Sequence, residues 1–186
     1  MNTRILSTVL ALTLVAASSA HAAQPMADSA LGATIVRSIN TYPRFTIFDD
    51  VNIAVDNGIV TLTGKVTMPF KRDEITARVE RLDGVREVKN DIEILPVSIY
   101  DEELRRKIAR AIYGNSAFWQ YAAMVNPPIH IIVERGRVTL TGVVASEVDR
   151  ALARSLATGF GEFSVVNALR TDAEVRSGYL QTAAKD

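Results

Sequence analysis

The sequence predicts an α+β fold: two tandem αββαβ modules, each a small mixed three-stranded sheet with two helices on one face. Three observations predict it. The chain repeats itself at an offset of 78 residues, its apolar residues step by four in two stretches, and strand-period segments pair around glycine turns. Residues 51–66 and 129–144 agree at nine of sixteen positions, including Gly58, Val60, Leu62 and Gly64 against Gly136, Val138, Leu140 and Gly142. A period this long marks a duplicated domain rather than a stacked solenoid.

Each element follows from local pattern. Leu31, Ile35 and Ile39, and in the second copy Leu104, Ile108 and Ile112, form one stripe of an amphipathic helix. Ser98 with Asp101 three residues later reads as the cap that opens the second copy's helix. Val51, Ile53 and Val55 alternate with polar neighbours, as do Ile129, Ile131 and Val133, which is strand period. Asn57-Gly58 is a two-residue hairpin signal because both turn positions favour positive φ. Arg135-Gly136 occupies the same place with a weaker signal.

The returning strands turn Val60, Leu62 and Val66, or Val138, Leu140 and Val144, inward. Gly64 and Gly142 share that parity, as expected where a helix approaches the sheet or a strand bends. A second helix begins at Pro69 with Ile75, Val79 and Leu82 inward; its counterpart begins at Ser146 with Val148, Leu152 and Leu156. A last strand, Val88 to Ile94 or Val165 to Leu169, closes each unit. The intervening helix makes it parallel to the strand before, while the hairpin pair is antiparallel. The expected domains are residues 23–96 and 97–175, with a frayed tail over 176–186. Pro96 to Tyr100 is so short a linker that the modules should touch.

The first residues read as an address. Met1 to Arg4 is a short basic start, Ile5 to Ala17 is uncharged and apolar, and Ala20-His21-Ala22 is a small-x-small cleavage site. That order predicts a secretory signal over residues 1–22. A thirteen-residue apolar run is too short to span a bilayer comfortably. The chain has no Cys, which excludes disulfides, thiolate catalysis, Cys-ligated zinc and a lipid anchor on an N-terminal cysteine. Exported and cysteine-free, it suits a bacterial periplasm. Lys plus Arg and Asp plus Glu both number 21, so a nucleic-acid partner is not expected.

Conventional catalytic equipment is sparse. His130 has outer-face parity on its strand and no partners at triad or zinc spacing. Asp49-Asp50 reads as a solvated acidic pair. Asn90 and Asn167 share parity with buried neighbours and read as structural amides. No catalytic residue, metal site or cofactor is expected, and the chain is not expected to be an enzyme. One cluster stands out. Arg105, Arg106, Lys107 and Arg110 lie on one helix, followed by Phe118, Trp119 and Tyr121. Bases beside interfacial aromatics suit a peripheral contact with an anionic phospholipid surface. The same bases also complement the helix dipole, and the aromatics also suit packing.

The helix-strand-strand-helix-strand order resembles the BON domain. The resemblance rests on Gly58-x-Val60-x-Leu62-x-Gly64 and Gly136-x-Val138-x-Leu140-x-Gly142, with Val88-x-Asn90 and Val165-x-Asn167 on the last strands. The whole chain looks like a tandem-BON periplasmic protein of the osmotically inducible type. The resemblance covers Asp28 to Glu174. It implies binding to phospholipid membrane surfaces and support of envelope integrity under stress. The alternative it implies is a periplasmic chaperone holding unfolded envelope proteins. If the address is read as expected, intact-mass analysis of the exported protein should find Ala23 at the N-terminus. A mature form that keeps Arg4 would overturn the cleavage site.

Overall fold

Helix α1 (Asp28–Asn40) buries Leu31, Ile35 and Ile39, the stripe that the four-residue step requires. Strands β1 (Asp50–Asp56) and β2 (Ile59–Val66) form the antiparallel hairpin, helix α2 (Pro69–Glu80) crosses over, and β3 (Glu87–Ile94) returns parallel to β2. The sheet order is β1-β2-β3. Val60, Leu62, Val66, Ile75 and Val79 complete a core that closes on this module alone. The computed structural model describes residues 27–183, with side chains through residue 177, so the expected signal segment 1–22 lies outside the described residues.

The second module repeats the plan with α3 (Ile99–Tyr113), β4 (Ile129–Glu134), β5 (Arg137–Val144), α5 (Glu147–Leu156) and β6 (Ser164–Asn167). Its sheet runs β4-β5-β6. Both expected caps form: Ser98 Oγ accepts from the Asp101 amide at 3.2 Å, and Ser146 Oγ from the Asp149 amide at 3.1 Å. Three additions distinguish this copy. The extra residues after α3 form a 3₁₀ turn (Ser116–Phe118) and the short helix α4 (Trp119–Ala122). The last strand breaks at Ala168, and β7 (Arg170–Thr171) resumes pairing on β5. Residues 176–183 of the segment read as a frayed tail instead belong to α6 (Asp172–Ala183).

One sequence reading gains support and one changes. The Arg135-Gly136 turn has the same geometry as Asn57-Gly58, with φ of 50° and 73° against 49° and 77°. Its support comes from another element. Asp101 accepts from the Arg135 and Gly136 amides at 2.8 and 2.7 Å, just as Asp28 accepts from Asn57 and Gly58 at 2.7 and 3.1 Å. A carboxylate on the first helix thus stabilises each turn with two charge-assisted hydrogen bonds, offsetting the strain of a positive φ at Arg135. Secondly, Gly64 and Gly142 accommodate a neighbouring strand's entry, not a helix. A Cβ at Gly64 would lie 2.2 Å from the Asp50 carbonyl oxygen, and at Gly142 1.8 Å from that of Pro128.

Helix α5 also sits differently from its expected stripe. Ala153 and Ala157 are fully buried, Leu152 and Leu156 pack at the margin, and Val148 is 74% exposed. The small alanine side chains let the helix approach the sheet along that line. Leu62 and Leu140 are both 0% exposed, and they occupy equivalent sites. Leu62→Ala and Leu140→Ala should each cost about 2–5 kcal/mol in chemical denaturation. A near-neutral result at either would mean that the two cores are not equivalent.

Candidate functional site

The surface around α3 is set by how the modules meet. Asp49, expected to be solvated, is 0% exposed. Its carboxylate accepts from the Thr46 amide and hydroxyl at 2.9 and 2.8 Å, and from the Thr67 amide and hydroxyl at 2.8 and 2.9 Å. Lys71 Nζ, itself buried, donates to it at 2.7 Å. This holds the turn before β1 so that Ile47 and Phe48 pack against the second module's core. The Ile47 carbonyl then accepts from the Ile131 amide at 2.7 Å.

His130 sits in this seam, not on an open surface. Its Nδ1 meets the Asp49 carbonyl oxygen, and its ring lies 5.5 Å from that of Phe45. Outer-face parity on β4 is correct, but the outer face is covered by the first module. Lys65 bridges the same seam, pairing with Glu93 of its own module and Glu134 of the other. The Glu134 hydrogen bond raises the Lys65 pKa above its ordinary value, and Lys65 in turn lowers that of Glu134.

Among the seven residues expected to touch lipid, the structure separates inside from outside. Arg105 is 4% exposed: its guanidinium donates to the Val133 carbonyl at 2.7 Å and to Glu102 at 3.3 Å. Phe118 and Tyr121 are buried, their rings stacked with centroids 5.7 Å apart. The Tyr121 hydroxyl accepts from the Ala145 amide at 2.8 Å and donates to Asp149 at 3.1 Å. These three residues are therefore corrected from surface contacts to internal ones. Arg105 flanks the buried stripe and finds a strand carbonyl there; the aromatics complete the core and the sheet-to-helix junction.

Arg106, Lys107, Arg110 and Trp119 remain outside. Arg106 pairs with Glu102 at 3.6 Å and Lys107 with Glu103 at 4.0 Å, one helical turn back. Such exposed pairs contribute about 0–1 kcal/mol, so they exchange readily for another anion. Trp119 is 67% exposed. Sequence reasoning missed the apolar surface beside them. Met68 at the start of α2, Val97 in the linker and Ile99 at the start of α3 are 47%, 99% and 82% exposed and line one groove with Arg106. The signal was present in Pro96-Val97-Ser98-Ile99: a linker in water ought to be polar.

Asn90 and Asn167 act in parallel. Asn90 Nδ2 donates to Thr76 Oγ1 at 2.7 Å, and Asn167 Nδ2 to the Arg150 carbonyl at 2.8 Å. Each ties its last strand to its module's crossover helix. Asn90 does so while exposed, contrary to the buried position that its parity implied. Among the described residues, no group of three or more His, Asp or Glu is placed to hold a metal ion, and no helix is long and apolar enough to cross a membrane.

A family model described as "BON domain" matches residues 27–96 and 100–173. No curated protein gives a significant match. Among solved structures, one of CdsD, a structural protein of the type III secretion system of Chlamydia trachomatis, is 13% identical. It aligns over 80% of this chain and 98% of that one, with a TM-score of 0.27. The C-terminal domain of CdsD is also 13% identical, aligning over 74% of this chain and 96% of that one at 0.26.

The Asp49 network yields a direct test. Asp49→Ala leaves Lys71 buried without its charge partner and should cost about 3–5 kcal/mol in urea denaturation, whereas a surface acid would cost almost nothing.

Proposed function

The chain belongs to the BON-domain family, and from that premise we propose that it is a periplasmic module that binds anionic phospholipid surfaces reversibly and supports envelope integrity under stress. The family is known for phospholipid binding and is generally non-catalytic. One observation supports this site above others: Arg106 and Lys107 stand on the outer face of α3, their side chains 59% and 54% exposed, close in sequence to the exposed Trp119. Each base near an anionic surface contributes about 1 kcal/mol. Arg106, Lys107 and Arg110 together sustain a weak, salt-sensitive contact, and the indole of Trp119 adds an interfacial group.

A second reading, a chaperone that holds unfolded envelope proteins, is favoured by the exposed Val97 and Ile99. The two differ in their response to salt and charge. Arg106→Glu with Arg110→Glu spares the buried stripe and should abolish flotation with anionic liposomes at low salt while leaving the melting curve in place. If the double variant floats as well as the wild type, this face is not the membrane contact. If, in addition, the protein suppresses client aggregation without salt dependence, the chaperone reading replaces it.

A further inference from the structure

We propose that the groove at the junction of the modules binds one single-chain anionic amphiphile of the fatty-acid type, as a monomer. The groove is open to solvent and offers about 340 Å³, at the lower end of the roughly 300–1,000 Å³ typical of small-molecule sites. One wall is apolar: Met68 from the first module, with Val97 and Ile99 from the linker and the start of α3. The other wall is α3 itself, which contributes Arg105 and Arg106.

Of the two hydroxyls on the apolar wall, Thr67 is engaged as donor and acceptor and Ser98 as an acceptor. Thr67 Oγ1 donates to Asp49 and accepts from Lys71, and Ser98 Oγ accepts from the Asp101 amide. On the α3 wall, the single acid, Glu102, pairs with both arginines. Two guanidinium groups against one carboxylate leave an excess positive charge. Arg105 is the telling residue, since its side chain is only 5% exposed and its Nε has no hydrogen-bond partner. The Nε is out of a ligand's reach, so an anion on this wall acts through space on the charge of Arg105 rather than by hydrogen bonding to it.

Those features select the ligand. An aliphatic chain asks nothing of the apolar wall except contact, and one terminal anion meets the excess positive charge on α3. An amidated apolar peptide brings no anion to the arginines, so it lacks the attraction that distinguishes the α3 wall. Monomer capture differs from adsorption on a bilayer in its use of the apolar wall and Arg105, while Arg106 borders both surfaces.

The test is a calorimetric titration of the protein with sodium decanoate below its micelle concentration, beside decanol and an amidated apolar peptide. Decanoate should bind at one saturable site. Decanol, lacking the charge, should bind about tenfold more weakly. Ile99→Asp places a charge on the apolar wall at a residue that is 82% exposed. It should leave the melting curve unchanged and weaken decanoate by about tenfold or more. Absence of saturable binding, an unchanged Ile99→Asp variant, or equal binding of the peptide would each overturn the proposal. Liposome flotation keeps the two sites apart. Decanoate binding without flotation sinks only the bilayer reading, and flotation without decanoate binding sinks only the groove.

Discussion

The arrangement of both modules depends on one buried carboxylate. Asp49 lies where the turn before β1, the end of β2 and the first turn of α2 converge, and each of the three supplies it with donors. An ionised carboxylate removed from water is costly unless it is paired and fully hydrogen-bonded. The segments that satisfy it are therefore held in one arrangement. A buried pair such as Asp49–Lys71 adds little net stability over apolar packing, yet losing either partner is expensive. Its effect is positional. With the turn held, Ile47 and Phe48 reach the second core, and the Ile47 carbonyl meets the Ile131 amide.

The two copies meet the same requirement with different chemistry. In each, the amide just after the second strand needs a partner at the crossover into the helix. The first module answers the Thr67 amide with Asp49 and continues to Lys71. The second answers the Ala145 amide with the Tyr121 hydroxyl and continues to Asp149. Lys71 and Asp149 are equivalent at the repeat offset, so the charge at that position has reversed while the connection persists. A tyrosine reaches this point only because α4 carries it there, which gives the extra residues after α3 a structural purpose. Burial raises the Tyr121 pKa, so the hydroxyl stays protonated and retains the hydrogen that it donates to Asp149.

Periodicity revealed the elements because each helix stripe and strand alternation is dictated by one module's core. It also contained a signal that went unread. Asp28 and Asp101 stand three residues before Leu31 and Leu104, and each caps the hairpin turn of its own module. What the pattern could not give was the environment created by the other module. His130 has outward parity, but outward on β4 means toward Asp49. Arg105, Phe118 and Tyr121 look like a surface cluster in sequence, yet Val133, the second core and the Ala145 amide claim them in space. Side chains long enough to leave their own face are the ones that local spacing places least well.

The exposure of the linker follows from the same seam. Leu95 is buried and its amide donates to Val66, which fixes the linker's start, while Ser98 caps α3 and fixes its end. Between these anchors stand Pro96, which has no amide hydrogen to donate, and Val97. An apolar side chain in a free linker would fold back against its neighbours to escape water. Here the Ile47–Ile131 hydrogen bond and the Lys65–Glu134 pair hold the two modules together. The geometry that aligns the modules therefore also keeps Val97 and Ile99 in solvent next to the arginines of α3. An apolar strip held open by rigid neighbours is preorganised for a ligand, since no ordering of the chain has to accompany binding.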